Sequence, residues 1–396
     1  MPRLTWRQGN HIHWRSAMRH YSCDSHVVEA REVFEGLEER FGSKAPRIES
    51  NINGHRGDFL VMPGNRPIPV GRLGIAGNRL DDPKTDELIA QGYEGLNPGV
   101  RDSNQRLAEQ ERDGIVGEVM YPSLSMFTFA LPDDEVRTAA FERHNDWVFD
   151  YCTPAPERLI GIGCLPVPDV DACVKEIRRA GAKGVRGFAI PSHAPIEKSY
   201  ADPVYDPLWA EFSEMDLPIT MHIFTGTTFD CGLPAHWGTP GGTIKGYTLA
   251  HTTVANTVMD LICGGVVERF PKLKFVLAEF ETGWVAHFKQ RFDHAIYRTP
   301  KYAVDYLTLK PSEYFDRNFW VTFEDDEAGI LTRELIGVGN LVWGNDYPHH
   351  DAIWPNSIPI LDRIMKGVPD AERERMVWGN VVDLYNIDVA KLPVPA

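Results

Sequence analysis

The 396-residue sequence lacks the patterns that mark several common classes of protein. It has no glycine-rich phosphate turn near its N-terminus, which argues against a doubly wound nucleotide-binding fold. Clusters of lysine and arginine are absent and the net charge is -15, so neither a nucleic acid nor an anionic membrane surface is an expected partner. No apolar run approaches the length of a transmembrane helix, and we therefore expect no membrane partner.

Cysteines spaced for a disulfide framework or a zinc site are also missing. The six cysteines are scattered without a CxxC pair, which favours reduced and buried thiols. The first 19 residues contain no apolar core of the kind that a secretory signal requires. Residues 1–19 are therefore interpreted as an N-terminal extension, and the sequence predicts a soluble cytoplasmic protein.

What the sequence does contain is an apolar segment that recurs eight times and ends in polar residues. Helical patterns follow most of these segments, for example at residues 133–151, 169–180 and 284–297. Strands and helices in this alternation predict an α/β fold, a (β/α)8 TIM barrel that occupies residues 20–390 as a single domain. The predicted strands begin near Tyr21, Gly114, Leu159, Val185, Pro218, Lys274, Asn318 and Leu341.

A large insertion, residues 33–112, interrupts this rhythm after the first strand. Proline, glycine and asparagine are frequent in it, and residues 57–71 resemble a hairpin with its turn at Pro63, Gly64 and Asn65. Connections in barrels are usually much shorter. We therefore expect the insertion to cover the mouth of the barrel or to lie at a subunit interface.

Potential metal ligands stand where three of the predicted strands end, the side of a barrel that holds active sites. Asp24 and His26 alternate on the first strand and so face the same way. His222 ends the fifth strand, and Asp346 follows the eighth. Two imidazoles and two carboxylates suit a divalent ion of the zinc, manganese or iron type, which would activate water and polarise a substrate oxygen.

Two of these residues are also predicted to act in catalysis. Asp346 would take a proton from water in a hydrolase or give one to carbon in a decarboxylase, and His222 would stand beside it. Each residue alone also fits a structural role: His222 fits a hydrogen-bonded core histidine, and Asp346 fits the cap of the following segment. The prediction rests on their joint placement.

Together these segments resemble the amidohydrolase superfamily, and in particular its amidohydrolase-related, aminocarboxymuconate semialdehyde decarboxylase-like branch of metal-dependent hydrolases and decarboxylases. The resemblance runs from about Tyr21 to Ile387. It is carried by Asp24-Ser25-His26, residues 218–222, 273–284 and 343–349, Trp354-Pro355 and residues 379–385.

The resemblance implies a metal-bound barrel in which Asp24, His26, His222 and Asp346 are the ligands. It also implies hydrolysis or non-oxidative decarboxylation of a small carboxylated substrate, aromatic or unsaturated. This sequence departs from the two-zinc hydrolases of the superfamily. Asp24 replaces the first histidine of their His-x-His pair, strand four offers no lysine to be carboxylated, and residues 279–281 replace a strand-six histidine.

One metal ion is favoured by these departures, and two ions are the alternative. The candidates for a second metal position, or for groups that orient the ligands, are His349, His350, Glu281 and Glu29. We favour the interpretation in which His349 orients Asp346. The residues predicted to bind substrate, each of which also fits ordinary packing, are Arg186, His193, Phe188, Phe224, Phe229 and Trp284.

Two other functions stay open. One is a dinuclear iron or manganese oxygenase on the same barrel, and the other is an inactive barrel that serves as partner subunit of a homologous enzyme. Metal content separates them from the leading hypothesis. The predicted partners are a small-molecule substrate and further copies of the chain in a homo-oligomer, with a hetero-oligomer that includes a homologue as the alternative.

Overall fold

The computed structural model describes residues 18–194, 198–226 and 239–393. The predicted N-terminal extension lies almost entirely outside these residues, as does Phe229. Among the described residues, parallel strands form a closed barrel and helices cover its outer face. No helix in these ranges is long and apolar enough to cross a membrane.

Within the described ranges, nine parallel strand segments build the barrel and three antiparallel strands lie in the insertion. The insertion contains β2 (Arg47–Ser50), β3 (Asp58–Val61) and β4 (Ile68–Pro69). The barrel contains β1 (Tyr21–His26), β5 (Gly117–Tyr121), β6 (Leu159–Gly161), β7 (Gly163–Cys164), β8 (Phe188–Ile190), β9 (Ile219–His222), β10 (Phe275–Ala278), β11 (Phe319–Phe323) and β12 (Leu341–Trp343).

The barrel strands pair in chain order, in two ladders. β1 pairs with β5 and β5 with β6, and β7 to β12 form the second ladder. The two ladders meet at Ile162, because its amide donates to Met120 O at 2.9 Å while the amide of Gly163 donates to Gly187 O at 3.0 Å. β6 and β7 are therefore two segments of the third of the eight predicted strands.

The barrel closes between its last and first strands. The amides of Asn345 and Asp346, just beyond β12, both donate to the carbonyl oxygen of Asp24, at 3.1 and 2.9 Å. The register of β1 against β5 shifts between Ser22 and Ser25, as in a β-bulge. The predicted TIM barrel is thus confirmed, and the closure joins two of the predicted ligands directly.

Helices follow the strands, and one helical segment is divided. Residues 251–269 have a continuous helical pattern in the sequence, but a Gly264-Gly265 step divides the segment into two helices, with Gly265 in the left-handed region at φ 70°. The helices are α1 (Leu37–Phe41), α2 (Pro83–Ile89), α3 (Ser103–Asp113), α4 (Asp134–Cys152), α5 (Val170–Gly181), α6 (Asp206–Met215), α7 (Pro240–Leu249), α8 (His251–Cys263), α9 (Val266–Arg269), α10 (Gly283–Arg298), α11 (Pro311–Asn318), α12 (Glu327–Leu331), α13 (Arg333–Ile336), α14 (Ser357–Ile364), α15 (Asp370–Glu374) and α16 (Asn380–Tyr385).

Alternation along the strands separates two buried layers. On β10, Phe275 and Leu277 pack outward in the core beneath the helices, whereas Val276 and Ala278 pack inside the barrel. A parallel strand buried on both faces requires such an unbroken apolar run. The residue that follows the run then emerges at the mouth of the barrel.

The insertion packs against the ends of β1 and β12. Its hairpin is confirmed, since β3 pairs with β4, although β2 adds a third strand that the sequence did not predict. The buried Arg106 of α3 donates to His26 O at 2.7 Å, and the amide of Ala76 donates to Pro348 O at 2.9 Å. The insertion thus braces the strand ends at the mouth.

Candidate metal centre

The four predicted ligands lie together at the C-terminal end of the barrel. Nε2 of His26 is 3.3 Å from Asp346 Oδ1, and Nε2 of His222 is 3.4 Å from Asp24 Oδ1. Nε2 of His26 also lies 3.8 Å from Asp24 Oδ1. All four side chains are buried, the most accessible being Asp24 at 4%. Residues from three distant parts of the chain therefore share one small volume.

The two imidazoles both present Nε2 to this volume. Nδ1 of His26 lies 2.9 Å from Pro122 O, and Nδ1 of His222 lies 2.8 Å from Ile223 O. A backbone carbonyl only accepts hydrogen bonds, so each Nδ1 carries a hydrogen and each Nε2 is the nitrogen left for a cation. This is the tautomer in which histidine binds metals through Nε2.

The two carboxylates are oriented in a comparable way. The Thr322 hydroxyl donates to Asp24 Oδ2 at 2.9 Å, and Nδ1 of His349 lies 2.9 Å from Asp346 Oδ1. Asp24 Oδ1 and Asp346 Oδ2 have no hydrogen-bond partner among the described residues. The same holds for Nε2 of His26 and of His222.

Four buried polar atoms without partners would cost several kcal/mol if they stayed unpaired, at about 1–3 kcal/mol each. Donor atoms of Asp24, His26 and His222 lie within 4.8 Å of one another, and Asp346 belongs to an overlapping group with His26, Glu279 and His349. Nitrogen and oxygen donors of these types are the ligands of a zinc, manganese or iron ion. The residues present therefore fit a divalent cation.

The pKa shifts reflect crowded charge. Burial opposes protonation of His222, but the carboxylate of Asp24, 3.4 Å away, together with Glu279, raises the pKa of its imidazole to about 9. Burial and the Asp24 charge raise the pKa of Asp346 well above its usual range. Burial, and then the neighbouring His349 and His222, lower the pKa of His26. A bound cation would take the place of the proton on His222.

Strained backbone marks the same mouth. Phe224, Glu279, Glu281 and Asp346 all adopt left-handed φ angles, between 50° and 63°. Such conformations cost about 1–3 kcal/mol in non-glycine residues and concentrate at functional sites. These four residues lie within three residues of the ends of β9, β10 and β12.

Glu279 is a site residue that the sequence prediction missed. It follows β10 as Asp346 follows β12, and its Oε2 lies 3.3 Å from Nε2 of His222. Its position at the end of an apolar strand was the available signal. The prediction named Glu281 as a candidate for a second metal position but considered Glu279 only as part of the segment that replaces a histidine.

Tyr121 and Tyr247 were also missed. Tyr121 is the last residue of β5. Its ring centroid lies 4.9 Å from that of His222 and 5.8 Å from that of His26, so it packs against both imidazoles. On α7, the 45% exposed Tyr247 donates its hydroxyl to Asp351 and lies 3.4 Å from Glu279 Oε1. Nothing in the sequence around Tyr247 signals this contact, because it depends on how α7 folds over the mouth.

His349 has both ring nitrogens engaged. Nδ1 faces Asp346, and Nε2 lies 3.0 Å from Ser123 Oγ. Burial lowers the pKa of His349 to about 3, so the ring is neutral. His349 therefore contacts a predicted ligand and has no nitrogen left over for a second metal.

Glu29 is occupied in another way. Its carboxylate accepts from the amides of Ser123, Leu124 and Ser125, at 3.3, 2.7 and 2.8 Å, and lies 3.2 Å from Nδ1 of His144. The amides and His144 leave Glu29 no oxygen for a second metal.

The other two candidates for a second position differ in exposure. Burial, followed by the Asp326 charge, raises the pKa of Glu281 to about 8, and this carboxyl lines the cavity at the mouth. His350 is exposed. The residues that line this cavity are Asp24, Glu279, Glu281, Thr322, Phe323, Glu324, Gly344 and Asp346.

Two of the predicted substrate-binding residues lie elsewhere. Arg186 pairs with Glu157 at 3.0 Å and donates to Asn386 O at 3.1 Å. Glu157 precedes β6, and Asn386 follows α16. They place Arg186 at the opposite end of the barrel, so its predicted role is wrong. Phe188 is fully buried on the outer face of β8, 6.3 Å from the ring of Phe212, and its predicted role is wrong because alternation turns it away from the interior.

The remaining predicted substrate-binding residues lie on segments that follow the strands. His193 is in the loop after β8, and Phe224 lies two residues beyond β9. Trp284, at the start of α10, donates its indole N–H to Glu281 O at 2.9 Å. They stay candidates for the substrate pocket.

The amidohydrolase family model matches residues 108–387. The chain belongs to the amidohydrolase family. The predicted recognition is thereby confirmed. The match covers β5 to β12 and two of the four candidate ligands, His222 and Asp346, whereas Asp24 and His26 on β1 lie outside it.

One curated relative and two solved structures resemble this amidohydrolase. The chain is 26% identical over 300 residues to 2-amino-3-carboxymuconate-6-semialdehyde decarboxylase of Dictyostelium discoideum, covering 73% of this chain and 78% of the relative. An amidohydrolase structure from Mycobacterium avium subsp. paratuberculosis matches with a TM-score of 0.74 at 20% identity, over 95% of this chain and all of that one. Dihydroxybenzoic acid decarboxylase from Polaromonas sp. JS666, with bound manganese and the inhibitor 2-nitroresorcinol, matches with a TM-score of 0.64 at 17% identity, over 94% and 98% of the two chains.

Proposed function

We propose that this amidohydrolase is a metal-dependent, non-oxidative decarboxylase of a small aromatic carboxylate. The observation that carries the proposal is the set of four buried, unpartnered donor atoms on Asp24, His26, His222 and Asp346 at the mouth of the barrel. The decarboxylases among its relatives support the reaction class. Manganese in one structural neighbour supports a divalent ion.

The four residues would hold one cation of the zinc, manganese or iron type. When bound, this cation supplies positive charge that anchors and polarises an anionic oxygen of the substrate. The chain itself supplies little such charge at the cavity, because Glu279, Glu281 and Glu324 line it. An anionic substrate therefore depends on the cation for its attraction to the site.

Asp346 is the residue placed to move the proton. Its carboxyl group lines the cavity, where it can carry a proton to the ring carbon that bears the substrate carboxylate. The bond between that carbon and the carboxylate then breaks, carbon dioxide leaves, and the bonding electrons restore the aromatic ring. Solvent reprotonates Asp346 for the next turnover.

A second candidate is the dinuclear oxygenase. The observation that favours it is the pair of additional carboxylates, Glu279 and Glu281, on the cavity wall. Against it, both nitrogens of His349 are already engaged. Two redox-active ions per chain and substrate-dependent oxygen consumption would select the oxygenase.

The test of the proposed function uses metal-free protein reloaded with manganese or zinc. It is incubated in heavy water with a panel of hydroxybenzoic acids that carry carbon-13 in the carboxyl group. We expect labelled carbon dioxide and a product with deuterium at the vacated ring carbon, and neither from the D346N variant. If the reloaded protein releases no labelled carbon dioxide from any panel member, the proposed reaction is wrong.

We also propose that the protein is a cytoplasmic homo-oligomer. Five cysteines in the described ranges are free thiols, which supports a reducing compartment. Several large apolar side chains are exposed, which supports self-association. Light scattering coupled to size exclusion tests the stoichiometry, and a hetero-oligomer with a homologue would appear as a second chain in protein purified from its source. The most exposed apolar side chains are Tyr302, Tyr297, Leu331 and Ile244.

A further inference from the structure

A chain of contacts leads from the candidate metal centre into the wall of the barrel. Asp346 Oδ1 lies 2.9 Å from Nδ1 of His349, and Nε2 of His349 lies 3.0 Å from Ser123 Oγ. Ser123 follows β5, and its side chain is inaccessible to solvent. Sequence reasoning did not consider it, because a lone serine after a strand carries no signal.

We propose that Ser123 is a positioning residue that fixes the tautomer of His349 and thereby the orientation of Asp346. A serine hydroxyl that donates to Nε2 leaves the hydrogen of the neutral imidazole on Nδ1, where it is donated to Asp346 Oδ1. That hydrogen bond holds Oδ1 and leaves Oδ2 without a hydrogen-bond partner among the described residues. The inference rests on the proposed role of Asp346.

Glu29 holds Ser123 in place. Its carboxylate receives the amides of Ser123, Leu124 and Ser125, so three successive residues are fixed to one buried side chain. His144, 3.2 Å away, supplies the opposite charge. Because these contacts hold the backbone at Ser123, its hydroxyl has little freedom to move. A group that selects a tautomer must be fixed in this way.

The contacts between Ser123, His349 and Asp346 also have the order of a serine nucleophile, its base and the carboxylate that orients the base. Two observations argue against that use. Ser123 has no solvent-accessible surface and does not line the cavity, so a substrate carbonyl does not reach its Oγ. Asp346 Oδ1 meanwhile lies 3.3 Å from Nε2 of His26 in the candidate metal centre.

The test compares Ser123→Ala, Ser123→Thr and the matched control Ser125→Ala. Ser125 donates to the same carboxylate through its backbone amide, which alanine retains. Nitrogen-15 NMR of labelled histidine in metal-free protein, with His349→Gln for assignment, reports which ring nitrogen carries the hydrogen. Manganese affinity is measured by calorimetry on the same samples, together with kcat and KM.

We expect wild type and Ser125→Ala to show His349 protonated on Nδ1, and Ser123→Ala to show mixed tautomers. Manganese affinity or kcat should fall about 10- to 100-fold in Ser123→Ala and recover in Ser123→Thr, with KM changing less than kcat. A hydrogen on Nε2 in the wild-type protein would overturn the proposal even if no variant folds. So would unchanged tautomer and affinity in Ser123→Ala, or covalent labelling of Ser123 by a fluorophosphonate.

The NMR and affinity measurements do not depend on which reaction the enzyme catalyses. If they give the expected result but the acid panel yields no carbon dioxide, the proposed function fails and the role of Ser123 stands. If carbon dioxide is released while the tautomer is unaffected by Ser123→Ala, the role of Ser123 fails and the function stands.

Discussion

Two buried clusters of carboxylate and imidazole lie near each other in this barrel, and they differ in how many of their polar atoms have partners. In the first, Glu29 receives three amides and lies beside His144, whose Nδ1 is the one atom of this pair without a hydrogen-bond partner among the described residues. In the second, Asp24, Asp346 and two histidines leave four atoms without partners among the described residues. Burial and residue type are the same in both. The difference teaches that unpaired donors, and not buried charge itself, distinguish a binding site from a structural ion pair.

The largest expected effect is on the cluster with unpaired atoms. Asp346→Asn should reduce kcat about 10²- to 10⁴-fold, because it removes the proton carrier and one ligand charge. The metal-free variant should be at least as stable to urea as the wild type, since a carboxyl whose pKa is raised by burial and by Asp24 is replaced by a neutral amide. Near-normal turnover in this variant would remove Asp346 from the mechanism.

In the cluster of Glu29 and His144, a substitution is expected to lower the stability of the protein. Glu29→Gln should lower the free energy of unfolding by about 3–5 kcal/mol, because it leaves His144 as a buried charge without its counterion. The exposed Glu39→Gln on α1 is the matched control and should change it by less than about 0.5 kcal/mol. If the Glu29→Gln protein has wild-type stability in urea, Glu29 and His144 are not a structural ion pair, and the distinction between the two clusters is wrong.

The stabilising effect of the Glu29 and His144 pair should depend on pH in both directions. Hydrogen bonds to His144 and Ser125 outweigh burial and lower the pKa of Glu29 below 4.5, so its contribution is present above pH 4.5 and is lost as the pH falls. Contacts with Cys164 and Glu29 outweigh burial and raise the pKa of His144 from 6.5 to about 10, so its contribution is full below pH 6.5 and is lost as the pH rises towards 10. The stability difference between wild type and Glu29→Gln should therefore be greatest from pH 4.5 to 6.5. A difference that is flat from pH 4 to 10 would contradict this.

Metal binding by the unpaired cluster should also depend on pH. The pKa of His222 is raised to about 9 in the metal-free protein, so below that pH a cation must displace a proton from it. Affinity for manganese should then rise about ten-fold per pH unit between pH 6.5 and 8.5. Calorimetry in buffers of different ionisation enthalpy should count one proton released, and a pH-independent affinity would show that His222 is not a ligand.

The smallest effect is expected at Arg186, which lies outside both clusters. Arg186→Gln breaks the contact with Glu157 and should lower stability by about 1 kcal/mol. Because Arg186 lies at the end of the barrel away from the mouth, kcat and KM should stay within about two-fold of the wild type. A ten-fold rise in KM would show that Arg186 acts in substrate binding.

The barrel was predictable from the sequence because each strand is an unbroken apolar run, and the ligands were predictable because they end such runs. Arg186 and Phe188 were assigned to the wrong places. Their strand was recognised, but on a strand of three residues the pattern does not say which end or which face a side chain occupies. Ser123 and Tyr247 depend on contacts between segments more than 100 residues apart, which local patterns do not encode.

The central claim is that four side chains bind one divalent cation. Anomalous diffraction from crystals soaked in manganese tests it directly. We expect a single strong peak about 2.0–2.3 Å from Nε2 of His26 and His222 and from one oxygen each of Asp24 and Asp346. A peak that contacts fewer than three of these residues, or no peak in a crystal whose wild-type protein binds manganese in solution, would contradict the account.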